Sequence, residues 1–150
     1  MEPVISPASD AEKNWAASLL ANNDPWIRLG VKQEQLLITC HDPEYQLFIA
    51  HLNDIPCGVL ILDPQGIAGS PYIKAIAVAT GNRSSGIGAK MVSYAESLFS
   101  KQSKHLFLCV SSFNERARKF YSMLGYTKVG EFQNYIIQGE SEILMYKRIS

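Results

Sequence analysis

The chain has 150 residues, 47% of them apolar, with 14 basic and 14 acidic side chains. That length suits one domain with a real core, here residues 1–150. Balanced charge argues against nucleic acid or a membrane surface as a partner, and no apolar run approaches the roughly 20 residues of a membrane span. No basic segment followed by an apolar one opens the chain, and its three cysteines, Cys40, Cys57 and Cys109, are an odd, scattered set. Both features predict a cytoplasmic protein with free thiols. Cys57 and Cys109 sit in apolar runs and read as core filler rather than nucleophiles. The three histidines and three cysteines have no metal-ligand spacing. A homodimer is left open.

Residues 2–7 read as a short first strand. Ser9 or Asp10 can cap a helix whose inward face is Trp15, Ala16, Leu19 and Leu20. Asn22-Asn23-Asp24-Pro25 breaks it, and Asp24 then Pro25 reads as N-cap and first position of a second, short helix. Tyr45–Leu52 and Ile55–Leu62 form a predicted hairpin around Asn53-Asp54. A loop is expected over Asp63–Pro71, then a strand over Tyr72–Ala79, a helix over Gly86–Ser100 and a strand over His105–Ser111. The run L-F-L-C-V in that last strand is apolar on both faces, as a central strand covered by helices requires. A helix over Asn114–Leu124 and a final hairpin, Tyr126–Gln138 with Ser141–Arg148, complete the chain. The order β-α-α-β-β-β-α-β-α-β-β predicts an α/β sandwich with a mixed central sheet of about seven strands and helices on both faces.

Two segments carry the chemistry. The first, V-A-T-G-N-R-S-S-G-I-G-A-K-M from Val78 to Met91, joins a predicted strand to a predicted helix. Such a turn exposes backbone N–H groups at a helix N-terminus, which favours a phosphate. It is not a Walker A loop, because Ile87-Gly88 stands where Lys-Ser/Thr is required. It matches only the first half of the dinucleotide fingerprint, with Met91 at the third glycine and a mid-chain position. The second, N-E-R-A-R-K-F-Y-S-M-L-G-Y from Asn114 to Tyr126, places Ala117, Phe120, Tyr121 and Leu124 on one helical face and ends at Gly125.

The spacing R-x-x-G-x-G at Arg83, Gly86 and Gly88 resembles the pyrophosphate loop of the GNAT superfamily of N-acetyltransferases. N-x-x-A-x-x-F-Y-x-x-x-G-Y, at Asn114, Ala117, Phe120, Tyr121, Gly125 and Tyr126, resembles that family's second cofactor motif. Residues 70–150 carry the likeness; residues 1–65 match only in the order of their elements. The resemblance implies a GNAT-like fold in which two central parallel strands splay apart and admit the pantetheine arm of acetyl-CoA. It implies a cofactor site of Ile76, Ala77, Val78, Arg83, Ser84, Ser85, Gly86, Ile87, Gly88, Ala89, Asn114, Ala117 and Tyr121. The backbone N–H of Val78 would polarise the acetyl carbonyl and Tyr121 would protonate the leaving thiolate, a phenol with an unperturbed pKa near 10 being protonated at neutral pH. Tyr121 is otherwise half of an aromatic pair packing its helix. Asn114 is a helix cap, a partner of the pantetheine amides, or both.

Many relatives place a Glu near the start of the strand equivalent to Tyr72–Ala79, where this chain has Ser70, Pro71, Tyr72 and Lys74. The general base is therefore open among Asp24, His41, Glu44 and His105, each also readable as a solvated or capping residue. Asn82 stands where relatives often carry an aromatic. Trp26, with Tyr135 facing it from the last hairpin, would wall the acceptor site. Arg116, Arg118 and Lys119 form a basic cluster that either rims the cofactor's 3′-phosphate or is a solvated face. The expected activity is acetyl transfer from acetyl-CoA to an amine by direct attack in a ternary complex. The acceptor is a small amine, amino acid, antibiotic or protein N-terminus, the last as in ribosomal-protein acetyltransferases. A non-catalytic acyl-CoA sensor is the competing expectation.

Overall fold

The structure, a computed structural model, describes residues 2–83 and 85–150. The elements are β1 (Val4–Pro7), α1 (Asp10–Ala21), α2 (Trp26–Leu29), α3 (Gln33–His41), β2 (Gln46–Leu52), β3 (Ile55–Ile67), β4 (Ser70–Val78), α4 (Ile87–Phe99), β5 (His105–Ser111), α5 (Glu115–Met123), β6 (Thr127–Gln133) and β7 (Ser141–Arg148), with a 3₁₀ turn at Thr80–Asn82. The strands form one sheet in the order β1-β2-β3-β4-β5-β7-β6. Every neighbouring pair is antiparallel except β4–β5, which is parallel and bridged by α4. The mixed α/β sandwich expected from the element order is present. No helix of the described residues is long and apolar enough to cross a membrane.

Period-two alternation in the strands divides the core between the two faces. On one face Leu60, Leu62, Ile73, Leu106, Leu108 and Met145 pack beneath α4 and α5. On the other, Leu47, Ile49, Val59 and Ile61 meet α1 and α3. The inward face of α1 is Ala16, Ala17 and Leu20, with Trp15 and Leu19 only half-buried at its flank. Small alanines there let the helix lie close to the sheet.

The Ser9 cap holds α1 in place. The Glu12 N–H donates to Ser9 Oγ (3.2 Å) and the Ser9 N–H donates to Glu12 Oε1 (2.9 Å), a closed capping box. The other Glu12 oxygen meets His51 Nε2 at 2.5 Å, tying α1 to β2. The Ser9 backbone N–H, with help from His51, lowers the Glu12 pKa. Glu12 therefore stabilises the fold above its unfolded pKa, and that contribution is lost as pH falls through the lowered folded value. Ser9→Ala should remove about 1 kcal/mol, read from a chemical-denaturation midpoint. Glu12→Gln should flatten the acid limb of stability against pH.

Several expectations are corrected. α3 was not legible, and the chain has three N-terminal helices rather than two. Only Leu36 and Cys40 of α3 are buried, so its apolar stripe is too narrow to show as a period. Its sequence signal is Gln35, whose Oε1 accepts from the Lys32 N–H at 2.9 Å. Asp63–Pro71 is not a loop, because β3 continues to Ile67 and turns back through Ala68 and Gly69, both at positive φ. Pro64 is tolerated because the ladder is irregular between Asp63 and Ile67. The last hairpin is shorter than expected. β6 ends at Gln133, and left-handed Asn134 closes the loop with its N–H on the Glu140 carbonyl. Pro25 is itself the N-cap of α2, while Asp24 Oδ1 accepts from the Arg28 N–H at 3.2 Å.

The pairing of β4 with β5 builds the site. It is registered only at Tyr72↔Phe107 and Ile73↔Leu108. Beyond that, β4 stays on β3 as far as Gly58↔Val78, and β5 stays on β7 as far as Ser111↔Glu142. Each strand follows its antiparallel partner, and a gap opens between Ala75–Val78 and Cys109–Ser111.

Candidate active site

A cleft of about 670 Å³ opens beside Ile76–Val78, where β4 has parted from β5. It runs from the N-terminus of α4 to the α1–α2 connection, and α5 forms one wall. Ile76, Ala77 and Val78 line it from β4, Gly86 to Ala89 from the start of α4, and Asn114, Ala117 and Tyr121 from α5. Both motif segments therefore meet at one cavity. Ser85 does not line it, and Ser84 lies outside the described residues.

Antiparallel pairing aims the Val78 backbone. The Ala79 N–H donates to the Cys57 carbonyl of β3 at 2.8 Å. Successive residues of a strand face opposite neighbours, so the polar groups of Val78 point away from β3, toward the gap. The Val78 carbonyl is taken by Arg83 Nε at 3.3 Å. Its N–H faces a space that β5 has vacated.

The start of α4 offers more donors. Gly86 is the N-cap, left-handed at φ 84°, and no side chain of the described residues caps the helix. The first N–H groups of a helix have no intrahelical acceptor. A Cβ at Gly86 would meet nothing within 4 Å, whereas one at Gly88 would come within 3.2 Å of Phe120 Cζ. Gly86 thus leaves open space at the start of α4, and Gly88 lets α4 and α5 approach. This cradle fits a pyrophosphate. Arg83 spans the cleft mouth, with its terminal nitrogen on Asn23 Oδ1. A phosphate contact for Arg83 therefore means exchanging the Asn23 amide for a charged acceptor.

Tyr121 is buried in the core against Tyr126 and Phe120, yet lines the cleft. Burial pushes its hydroxyl well above the ordinary phenol range. Phe120 lines the cleft too, so the two adjacent aromatics do not divide cleanly between core and cavity. Asn114 caps α5, its Oδ1 accepting from the Ala117 N–H at 3.2 Å.

Trp26 lines the cleft at its α1–α2 end, but Tyr135 does not line it. Tyr135 is exposed on the β6–β7 loop and rests on Phe132, with ring centroids 5.3 Å apart. The link from α2 to that hairpin is made by Arg28 instead. Its guanidinium lies 4.2 Å from the Phe113 ring centroid and 3.6 Å from Glu140. Among the four base candidates, Asp24 alone lines the cleft. His41 contacts Asn14 and His105 contacts Tyr146, both at exposed positions, and Glu44 is exposed. Of the basic cluster, Arg116 lines the cleft, while Arg118 donates to the Ser112 carbonyl at 3.4 Å. Asn22, Asn23 and Ile27 line it although the sequence did not mark them as site residues, and Phe120, a motif position beside Tyr121, lines it as well.

The parting of β4 from β5 and the free amides at the start of α4 thus bring both motif segments to one cleft on an α/β sandwich. The profile of the acetyltransferase (GNAT) family matches residues 11–126, and the chain belongs to that family of acetyl-transferring enzymes. No curated protein matches it significantly. The fold is shared with the ribosomal-protein-S18-alanine N-acetyltransferase from Escherichia coli, at 20% identity and TM-score 0.79, over 99% of this chain and 94% of that one. An aminoglycoside 6′-N-acetyltransferase complexed with coenzyme A aligns at 21% identity and TM-score 0.79, over 98% and 97%. Ard1 from Thermoplasma volcanium aligns at 16% identity and TM-score 0.82, over 100% and 99%. At these identities the likeness speaks for the fold.

Proposed function

We propose that this enzyme moves an acetyl group from acetyl-CoA to an amine by direct attack in a ternary complex. The observation that carries this reading is the convergence of Val78, Gly86–Ala89, Asn114 and Tyr121 on one cleft. The amides of Ile87, Gly88 and Ala89, with Arg83, would hold the pyrophosphate. Ile76, Ala77, Asn114 and Ala117 would flank the pantetheine arm. Bound acetyl-CoA supplies an activated acetyl group as a thioester.

The Val78 N–H donates to the carbonyl oxygen as negative charge grows there, a contribution worth about 3 kcal/mol for one such donor. Tyr121 delivers its hydroxyl proton to the departing thiolate. None of the three cysteines lines the cleft, and burial raises all three thiols, Cys40 to about 11. A thiolate acyl carrier on the protein is thereby disfavoured, which supports direct attack over an acyl-enzyme. The acceptor would enter past Trp26 and Asp24, opposite the phosphate cradle.

Thiol release from acetyl-CoA, measured against a panel of small amines, amino acids, aminoglycosides and peptides with free N-termini, tests this reading. Turnover with one class assigns the acceptor, and peptide-only turnover would select the N-terminal acetyltransferase form. Tight coenzyme A binding with no turnover on any acceptor selects the sensor and ends the catalytic reading.

A further inference from the structure

The acceptor nitrogen of an amine arrives as an ammonium and must lose a proton before it attacks. Among the described residues, no side chain lining the cleft is poised to take that proton. Asp24, whose carboxylate lines the cleft, accepts from the Arg28 backbone N–H at the mouth. The sheet itself supplies a better group. On the α1–α3 face, helices cover β2 to β4 only. The same face continues across β5 and β7, where alternation with Leu108, Val110, Ile143 and Met145 of the opposite core places Cys109, Ser111, Glu142 and Leu144 on it, Ser111 buried and Glu142 half-buried.

Glu142 pairs with Ser111, and its Oε2 accepts from Ser111 Oγ at 2.6 Å. Counting on from Ile73↔Leu108, Ser111 is level with Ile76, two residues before Val78, where β4 and β5 have already parted. Glu142 thus lies one strand beyond the gap, on the face of the sheet that carries Ala75 and Ala77, and neither it nor Ser111 lines the cleft itself. It has no ion pair among the described residues, unlike Glu140 with Arg28 and Glu131 with Lys128.

We propose that Glu142 is the general base that deprotonates the acceptor amine, held in place by Ser111. The inference rests on the acetyl transfer proposed above. The Glu142 carboxylate takes one proton from the ammonium, directly or through one water, and passes it to solvent. The freed lone pair forms the C–N bond as the C–S bond breaks, and Tyr121 protonates the thiolate. The second nitrogen proton then restores Tyr121. The balance is one amide, one thiol and one proton released.

The surroundings suit a base. Burial raises the Glu142 pKa, and the Ser111 hydroxyl opposes that rise. The titratable groups facing it are Tyr72 of β4 and Cys109 of β5, both raised by burial and so neutral across the working range. On β6 its partner is Phe132, which does not titrate. Glu142 becomes competent as pH rises through its raised pKa, so the acid limb of kcat/KM should lie above the ordinary carboxylate range.

Glu142→Gln should lower kcat/KM by about 10²-fold at neutral pH, abolish that acid limb, and recover as pH approaches the acceptor's own pKa. Coenzyme A affinity by calorimetry and thermal stability should not fall. Ser111→Ala removes a bond that favours the charged form, so its acid limb should move to higher pH. Wild-type turnover with an unchanged profile in Glu142→Gln would falsify the proposal alone, as would an acid limb unmoved in Ser111→Ala. Loss of coenzyme A affinity alongside turnover would make Glu142 structural. A wild-type protein that turns over no acceptor removes this inference together with the catalytic reading.

Discussion

Tyr121→Phe should lower turnover by about 10²-fold or more, the usual span for general acid catalysis, while coenzyme A affinity and melting temperature barely move. The substitution deletes one hydroxyl and keeps the ring that packs between Phe120 and Tyr126. Burial holds the hydroxyl protonated at every working pH. The same desolvation raises the proton affinity of a thiolate leaving into this wall, so donor and acceptor stay matched. A purely packing Tyr121 predicts the opposite, near-normal turnover in a Phe variant. That outcome sinks the acid role if chemistry limits the rate, so a pre-steady-state measurement belongs beside the steady-state one.

Gly88→Val should weaken coenzyme A binding by about 10²-fold or more. Hydrogen bonds to charged groups are worth about 1.5–3 kcal/mol each, and blocking two phosphate contacts suffices for that loss. The structure adds a second route to the same effect. A Cβ at Gly88 would sit 3.2 Å from Phe120 Cζ, so the new side chain also presses on α5. Phe120→Leu in the Gly88→Val background separates the two. If affinity returns when the aromatic is trimmed, crowding of α5 was the cause and the backbone-cradle role fails. If it stays low in a folded protein, blocked approach to the amides is the cause.

The cofactor half of the site was legible because its signals are local. Gly86 marks the left-handed start of α4, and Asn114 marks a cap, each by the backbone geometry it favours. The α4 stripe Ile87, Met91, Val92, Ala95 and Phe99 is buried on one face, as its period requires. The hairpin at Asn53-Asp54 formed at the expected turn, both residues at positive φ. Where two local signals competed, the outcome shifted. Pro64 and Gly66 read as a loop, yet the antiparallel partner β4 carried β3 through to Ile67.

The α1–α2 end of the cleft and the β5–β7 strands beyond it were not legible, because they are held by long-range pairs. Arg83 reaches Asn23, Arg28 reaches Phe113 and Glu140, and Ser111 reaches Glu142. None leaves a spacing pattern, since the partners come from elements far apart in the chain. Tyr135 reads as a plausible wall from the hairpin, but Asn134 turns the loop early and leaves it exposed. The sequence by itself determined the element order, the phosphate-type turn and the capped aromatic helix, all of which depend on local dihedrals and periodicity. Only the tertiary structure decided the gap beside Val78 and the Ser111–Glu142 pair one strand beyond it. Both arise from β4 and β5 each following a different antiparallel partner, a competition between ladders that no single segment encodes.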